Sequence, residues 1–425
     1  MKSALPVVAG VVLGLLLLLS FGIDWDHVSA GGTIDFRNRI TGARLLQTHR
    51  DAYHYKWQKP EPPELCDPYN NLALPISRVT VTPTLLMMNF PLAPLSYRPA
   101  QFIWLVIQWL LLLATAFLWM RVLPSVRWRW LWMAAVVGFT FTVAWRHHAD
   151  RGQAYVLILF LLSCWMLITR HARIGNSIWG GLVAGLLVAV RPPLLLLVGP
   201  YMLLRARGQI IGAVVGLVLS AGLPMLWDAS CWSDYHEAMQ TWSDLYRAGT
   251  ANPRPPAQAY PSLIEGVPID VIARFGAIPF ADSSLYALFR SWGISNVPAL
   301  PVAAALLLLI ALWFWFSRSQ PDERLLIGIA AWAFLADLFI PAPRNSYNDV
   351  QILNLLALGF LARGRPSWIV WLLLAAWPLN WAVMAALPRA KWIINLPSVV
   401  MMAAAVFFLL RPVFERTKSK PGALA

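Results

Sequence analysis

Charged residues are scarce in this 425-residue chain. Asp, Glu, Lys and Arg make up 13% of it, roughly half the share of about 25% found in soluble domains. Apolar residues make up 59%, and the mean hydropathy is +0.59. This balance excludes an ordinary soluble globular protein. The sequence also lacks the period-two alternation of an outer-membrane barrel. Repeated apolar runs instead predict an all-α, polytopic integral membrane protein.

Cysteine is nearly absent as well, with only Cys66, Cys164 and Cys231. Cys164 lies inside an apolar run, whereas Cys66 and Cys231 fall in segments predicted to lie outside the membrane. A disulfide between these two is left open. No CxxC or HExxH spacing occurs, so the sequence indicates no metal site.

Negative charge is the scarcer sign, with 20 Asp and Glu against 34 Lys and Arg. In a soluble protein this excess would suggest nucleic acid. Here much of it lies in short loops between apolar runs, which is the positive-inside pattern of cytoplasmic loops. The prediction is therefore a membrane-lipid environment and no nucleic-acid partner.

The apolar runs predict about ten full spans, the first a retained span or signal anchor, within one domain covering residues 1–425. They cover residues 5–21, 101–120, 130–145, 154–169, 210–226, 299–316, 325–340, 350–361, 368–384 and 398–410. Both termini are then cytoplasmic. Two long polar segments, 22–99 and 227–298, become outer loops, and such long connections usually carry function.

A short helical hairpin is predicted between the fourth and fifth spans. Residues 178–190 lead to Arg191-Pro192-Pro193, and residues 194–204 lead back to basic residues. Each arm rises only about 18 Å, which is too short for a hydrocarbon core of about 30 Å. We expect the hairpin to enter from the cytoplasm with Arg191 near its tip.

Asp35 follows the first span and begins an amphipathic pattern. Apolar positions at helical spacing and arginines on the other faces predict a helix lying at the outer interface. Residues 82–92 predict a second such helix. From spacing alone, Asp35 either caps its helix or pairs with Arg39, or it serves as a base facing the outer solution. The apolar positions are Phe36, Ile40, Ala43 and Leu46, and the arginines are Arg37, Arg44 and Arg50.

Other polar groups border the spans. A guanidinium at membrane depth, as expected for Arg191, is either one half of a structural ion pair or a functional group whose fork suits a phosphate. A carboxylate base, a deep cation and an outward opening together suit transfer of a sugar from a lipid phosphate to a hydroxyl. The remaining polar groups are His147, His148, Asp150, Arg151 and Gln153, and the run 344–349.

At these residues the chain resembles the polyprenyl-phosphate-dependent GT-C glycosyltransferases, and most closely glycosyltransferase family 87. The similar elements are Asp35-Phe36, Asp51-Ala52-Tyr53, Gly152-Gln153, the glycine-rich run 180–185, Arg191-Pro192-Pro193-Leu194 and Arg205-Ala206-Arg207. The family commonly has lysine in place of Arg191 and Tyr-Pro-Pro in place of Thr82-Pro83-Thr84. Its late element after a proline corresponds here to residues 343–349.

The resemblance implies a metal-independent, cofactor-free, inverting hexosyltransferase, chiefly a mannosyltransferase, in a bacterial plasma membrane with its active site outside. It implies a polyprenyl-phosphate-linked sugar as donor and a glycolipid or glycan as acceptor. Asp35 becomes the base, and Arg191 and Arg151 bind the donor phosphate. The substrate-pocket residues are then His147, His148, Gln153, Asp51, Tyr53, Tyr347 and Arg344.

Three other functions stay open. A lipid-linked sugar flippase would have paired discontinuous helices in both halves, and only one broken hairpin is visible in the sequence. An outer-face glycan ligase or polymerase would concentrate its catalytic groups in residues 227–298. A non-enzymatic assembly partner would tolerate substitution of Asp35 and Arg191. The candidate groups for the ligase or polymerase are Asp228, Asp234, His236 and Glu237.

Overall fold

The computed structural model describes residues 4–30, 33–171, 177–250, 263–264, 267–268, 282–361 and 400–410. These residues are helical apart from their connections and one antiparallel pair of two-residue strands, β1 (Leu263–Ile264) and β2 (Val267–Pro268). The all-α prediction is therefore confirmed for the described chain. Span 368–384, the basic tail and most of residues 251–281 lie outside the described residues.

The helices follow one another with short connections. They are α1 Ala4–Ser29, α2 Ile34–Gln47, α3 Pro83–Met87, α4 Tyr97–Val122, α5 Val126–Thr140, α6 Val143–Arg151, α7 Tyr155–Arg170, α8 Ile178–Val190, α9 Leu195–Arg205, α10 Ile210–Gly222, α11 Cys231–Arg247, α12 Leu285–Ser291, α13 Ala299–Ser317, α14 Asp322–Leu335, α15 Ile352–Leu361 and α16 Val400–Leu410.

Four helices in the described residues are long and apolar enough to cross a membrane: Pro6–Ser29, Tyr97–Val122, Arg207–Leu226 and Ala299–Ser317. A fifth candidate is the pair α6 and α7, which is bent by 111° at its break. Other apolar helices, such as α5 with 15 residues and α14 with 14, are shorter than a span of about 20 residues. The chain is a membrane protein, and the count of ten spans stays a prediction.

The helix α8 packs closely along α10 through glycines on both helices. A Cβ atom at Gly181 would fall on backbone atoms of Gln209 and Ala213, and one at Gly212 would fall on the carbonyl of Ile178. Small residues four apart allow two backbones to approach in this way. The predicted break after α8 is present, because α8 ends at Val190 and a 3₁₀ turn covers Pro192–Leu194. Its second arm, α9, packs instead against α13 and α14.

The helix α2 is buried on nearly all sides, unlike the interfacial helix predicted from its amphipathic pattern. Arg37, Arg39 and Arg44 are all buried together with the apolar residues. The short helix α3 is also mostly buried. The physical reason is that the folded outer loop covers α2, and Arg44 donates to the carbonyls of Ala93, Glu64 and Leu95 in that loop.

The two ends of α14 mark two different regions. At its start, Glu323 pairs with Arg170 and Asp322 pairs with Arg205. Just beyond its other end, Asp337 pairs with Arg191. The predicted cytoplasmic loops at Arg170, Arg205 and Asp322 are therefore grouped at one end of α14, and Arg191 lies at its other end. Cys66 and Cys231 are both buried free thiols, so no disulfide joins them.

Candidate active site

Asp35 is the second residue of α2, and the backbone just before it fixes its position. The N-cap residue is Thr33, which adopts a left-handed conformation with φ 68°. Its N–H donates to the carbonyl of Asp150 in α6, and its carbonyl accepts from the Tyr97 hydroxyl at 2.8 Å. The start of α2 is therefore tied to α6 and α4, and Asp35 does not cap the helix.

Both carboxylate oxygens of Asp35 are engaged. Oδ1 accepts from Arg78 Nη2 at 3.4 Å, and Oδ2 lies 3.2 Å from Arg151 Nη1. The side-chain amide of Gln153 also donates to Oδ2. The Asp35 side chain keeps 13% of its surface exposed. The resulting site is a shielded carboxylate held among three donors.

The helix break between α6 and α7 brings Arg151 and Gln153 to Asp35. Gly152 lies in that break with φ 65°, a conformation that glycine adopts without strain. A Cβ atom at Gly152 would collide with the Cβ of Phe36, next to Asp35. The Gly152 carbonyl also accepts from the indole of Trp104 at 2.8 Å. Glycine is therefore needed here for both the backbone turn and the close approach of α2.

The charges around Asp35 keep it ionised. Burial by itself would raise the pKa of Asp35, but the positive charges of Arg151, Arg78 and Arg39 hold the pKa below its usual 3.8. Arg39 is 1% exposed, and its Nε and Nη2 have no hydrogen-bond partner in the described chain. Burial lowers the pKa of Arg39 to about 10, so Arg39 still carries its charge at neutral pH.

Two packed tyrosines lie beside Arg191. The ring of Tyr347 packs on that of Tyr155 with 5.7 Å between centroids, and the guanidinium of Arg191 lies 4.9 Å from the centre of the Tyr155 ring. Burial and the nearby negative charge of Asp35 raise the pKa of Tyr347, so its hydroxyl stays protonated. The structure therefore joins Tyr347, Tyr155 and Arg191 in one polar region, and the charge of Asp35 acts on Tyr347.

Arg191 forms an ion pair with Asp337, through Nη2 and Oδ1. Oδ2 of Asp337 accepts from the side-chain amides of Asn348, at 2.8 Å, and Gln351, at 3.4 Å. The pair matches the structural alternative that the sequence left open. Arg191 nevertheless keeps 22% of its side chain exposed, so part of it can be reached by a ligand.

The histidines of α6 take different positions. His147 Nδ1 lies 2.8 Å from the Ser346 hydroxyl, in the same turn as Tyr347. His148 is fully buried, stacks on Trp145 and accepts from the backbone N–H of Val156 through Nε2 at 3.0 Å. His147 therefore borders the polar region, whereas His148 joins α6 to α7.

Three further residues predicted for the pocket have structural contacts elsewhere. Asp51 accepts from the backbone N–H groups of Tyr53 and His54, and the Tyr53 ring packs on Tyr235 of α11. Arg344 is 1% exposed and pairs with Asp349 at 2.9 Å. The described contacts do not bring Asp51, Tyr53 or Arg344 to Asp35.

Sequence reasoning missed Asp337 and Arg78. Asp337 had a usable signal, because a lone carboxylate inside the apolar run 325–340 requires a partner. Arg78 lies in an irregular segment without periodicity, and only the tertiary structure brings it to Asp35. Arg39 was considered only as a helical neighbour of Asp35. Among the residues that the structure describes, no three His, Cys, Asp or Glu side chains cluster as metal ligands, and metal independence stays a prediction.

The profile described as Glycosyltransferase family 87 matches residues 80–341, well over half of the chain. The chain belongs to this family. It is therefore a membrane glycosyltransferase, with a sugar donor and an acceptor as its substrates. No curated protein and no solved structure matches the chain significantly.

The family match includes some of the described site and ends short of the rest. Arg151, Gln153, Arg191 and Asp337 lie inside residues 80–341, whereas Asp35 and Tyr347 lie outside them. The membership therefore supports the glycosyltransferase activity of the whole chain. The role of Asp35 rests on the geometry around it.

Proposed function

We propose that this glycosyltransferase moves a hexose, mannose in the first instance, from a polyprenyl-phosphate donor to a hydroxyl of a glycolipid or glycan. Transfer takes place at the outer face of a bacterial plasma membrane, with inversion at the sugar carbon. The observation that carries the proposal is the ionised Asp35 carboxylate, buried among cations. The choice of mannose as the sugar and of polyprenyl phosphate as its carrier comes from the family resemblance.

In the proposed reaction, Asp35 is the general base. The acceptor hydroxyl gives its proton to a carboxylate oxygen of Asp35 while its oxygen attacks C1 of the donor sugar. The bond between C1 and the phosphate oxygen breaks, and its electron pair leaves with the polyprenyl phosphate. One displacement of this kind inverts C1 and needs one base. In this scheme the Asp35 carboxylate takes the proton and no metal-bound water is required, which agrees with the expected metal independence.

Arg151 and Arg191 are the proposed phosphate-binding groups. A guanidinium stabilises the negative charge that develops on a departing phosphate. Arg151 pairs with Asp35, so a phosphate that attracts Arg151 would weaken its hold on Asp35. The Asp35 pKa would then rise toward its usual value, and the carboxylate would become a stronger base. Donor binding and base strength are coupled in this scheme.

A transporter is the less favoured function. The helix pair α6 and α7 is a second discontinuity besides the one at Arg191, and discontinuous helices also occur in transporters. Both breaks, however, lie within residues 143–205 rather than in two halves of the chain. Membership in a glycosyltransferase family favours an enzyme.

Replacing Asp35 by Asn tests the proposal. We expect Asp35→Asn to reduce transfer of mannose from polyprenyl-phosphate mannose to membrane acceptors by about 10²- to 10⁴-fold, the usual contribution of a general base. Glu237→Gln, on the exposed face of α11, should keep its activity. Near-normal turnover of a folded Asp35→Asn protein would exclude Asp35 as the base. A large loss in Glu237→Gln instead would favour a ligase or polymerase site in residues 227–298.

A further inference from the structure

The short 3₁₀ turn Ser346–Gln351 lies directly before α15 and contains much of the polar run 344–349. Asn348 lies in this turn and is 3% exposed. Its backbone N–H donates to the carbonyl of Asn345 at 3.0 Å, which fixes the start of the turn. A buried side-chain amide normally has hydrogen-bond partners. The partners of Asn348 therefore indicate what this side chain does.

The side chain of Asn348 contacts both groups that hold Arg191. Its Nδ2 donates to Asp337 Oδ2 at 2.8 Å and to the Tyr155 hydroxyl at 2.9 Å. Asp337 forms the ion pair with Arg191, and the guanidinium lies 4.9 Å from the centre of the Tyr155 ring. An ionised carboxylate oxygen accepts hydrogen bonds and donates none, so the nitrogen of the amide must face Asp337. One side chain therefore fixes two neighbours of the Arg191 guanidinium.

The bond from Asn348 limits how Asp337 pairs with Arg191. A carboxylate often binds arginine through both oxygens, which uses two nitrogens of the guanidinium. Here Oδ1 of Asp337 pairs with Nη2, while Oδ2 accepts from Asn348 and, at 3.4 Å, from Gln351. Asp337 cannot turn Oδ2 toward a second nitrogen of Arg191 without losing these bonds. Within the described residues, Nη1 and Nε of Arg191 make no hydrogen bond.

From this arrangement, we propose that Asn348 is a positioning residue for the donor phosphate. It keeps Asp337 on one nitrogen of Arg191, so that the rest of the guanidinium stays available to a phosphate oxygen. This matters because a phosphate and Asp337 compete for the same cation. The inference rests on the proposed function, in which Arg191 binds the donor phosphate. It adds a residue that does not touch the donor and acts through Asp337.

Binding of a short polyprenyl phosphate tests this role without turnover. The probe is farnesyl phosphate, titrated calorimetrically into the full chain in detergent micelles, and farnesol shows the binding due to the lipid tail alone. We expect the unmodified protein to bind farnesyl phosphate more tightly than farnesol. Asn348→Ala should weaken farnesyl phosphate binding by about tenfold. Asn348→Gln keeps an amide donor and should weaken the binding less.

Asn89 offers a matched control for the loss of a buried amide. It is 1% exposed, its Nδ2 donates to the carbonyl of Leu85 at 2.7 Å, and its Oδ1, like that of Asn348, has no partner within the described residues. Asn89→Ala should lower the unfolding midpoint in detergent and leave farnesyl phosphate binding unchanged. In the transfer assay, Asn348→Ala should raise the donor KM by about tenfold and leave kcat at saturation nearly unchanged. If Asn348→Ala does not fold, Asn348→Leu removes the same donors while filling the space.

Asp337→Asn shows whether Asn348 acts through Asp337. With no carboxylate left to restrain, Asn348→Ala should change farnesyl phosphate binding by less than about twofold in that background. The same tenfold loss in both backgrounds, or equal binding by the unmodified protein and folded Asn348→Ala, would overturn the role of Asn348. The assignment of Arg191 to the donor phosphate would survive either result.

Failure of the proposed function gives a different result. If the unmodified protein bound farnesyl phosphate no better than farnesol, the polyprenyl-phosphate donor and the role of Asn348 would both be overturned. Asp35→Asn should bind farnesyl phosphate normally while losing sugar transfer, so an error in the assignment of the base would leave the binding results for Asn348 in place.

Discussion

Arg151 and Asp35 lie 3.2 Å apart, although 116 positions separate them in the chain. Asp35 stands at the start of α2, and Arg151 ends α6 just before the helix break at Gly152. Their contact joins the first outer loop to the membrane bundle. It also determines the charge state of the proposed base, because Arg151 provides the strongest attraction that lowers the Asp35 pKa.

Removing the Arg151 charge should change the pH dependence of transfer. The pKa of Asp35 is depressed in the folded protein, so Asp35 is ionised, and the site competent, above that low pKa. The rate should fall only as pH drops through it. Arg151→Gln raises the Asp35 pKa, and the acidic limb of kcat/KM against pH should therefore move to higher pH.

The measurement is a pH profile of kcat/KM for the unmodified protein, Arg151→Gln and the control Arg170→Gln. Arg170 pairs with Glu323 at the opposite end of α14 and should leave the profile unchanged. An acidic limb that stays in place in active Arg151→Gln would mean that Asp35 is not the titrating group.

Two variants separate the contribution of Arg191 to stability, through its pair with Asp337, from its contribution to donor binding. Arg191→Met leaves the buried Asp337 carboxylate without its cation and should cost about 3 to 5 kcal/mol of stability. Adding Asp337→Leu removes the uncompensated charge and should recover most of that loss. If Arg191 binds the donor phosphate, the double variant should still bind the donor poorly.

Unfolding in detergent and the donor KM are the two measurements for this pair. Recovery of both stability and donor KM in the double variant would show that Arg191 is purely structural. Arg191→Lys keeps the charge, and it should retain more donor affinity than Arg191→Met.

The carboxylate of Asp24 holds α6 against α1. It accepts from the indoles of Trp109 and Trp145, at 3.0 and 2.8 Å, and it pairs with Arg146. Asp24→Asn leaves the guanidinium uncompensated and should cost about 3 to 5 kcal/mol. Glu323→Gln breaks the exposed pair with Arg170 and should cost less than about 1 kcal/mol. Equal unfolding midpoints for the two variants would contradict this ranking.

Glycines between α8 and α10 should be more sensitive to substitution than glycines with open space around them. Gly185→Ala would place a Cβ atom on the backbone of Ala213 and Leu217 in α10. We expect a loss of about 1 to 3 kcal/mol from this overpacking. A Cβ atom added at Gly14 in α1 would have no atom within 4 Å. Gly14→Ala should therefore leave stability unchanged or raise it slightly. Thermal unfolding of both variants checks the difference, and equal loss in both would contradict close packing of α8 on α10.

Local patterns of the sequence predicted the helix at α2, the break at Arg191 and the membrane setting. Each depends on neighbouring residues: apolar spacing sets a helix, and prolines after Arg191 end one. The same patterns did not predict the burial of Arg37, Arg39 and Arg44, because periodicity does not show which segment will cover a helix. They did place the start of α7, expected at Ala154 and found at Tyr155, but they gave a loop in place of the short helix α6 before it.

The sequence by itself determined that this chain is a helical membrane protein, and it identified Asp35, Arg151 and Arg191 as the charges to explain. The tertiary structure decided which charges meet: Asp35 with Arg151, Arg78 and Gln153, and Arg191 with Asp337. The physical reason is that a buried charge requires a partner. The identity of that partner depends on how distant segments pack, and Arg78 and Asp337 carry no local pattern that would show it.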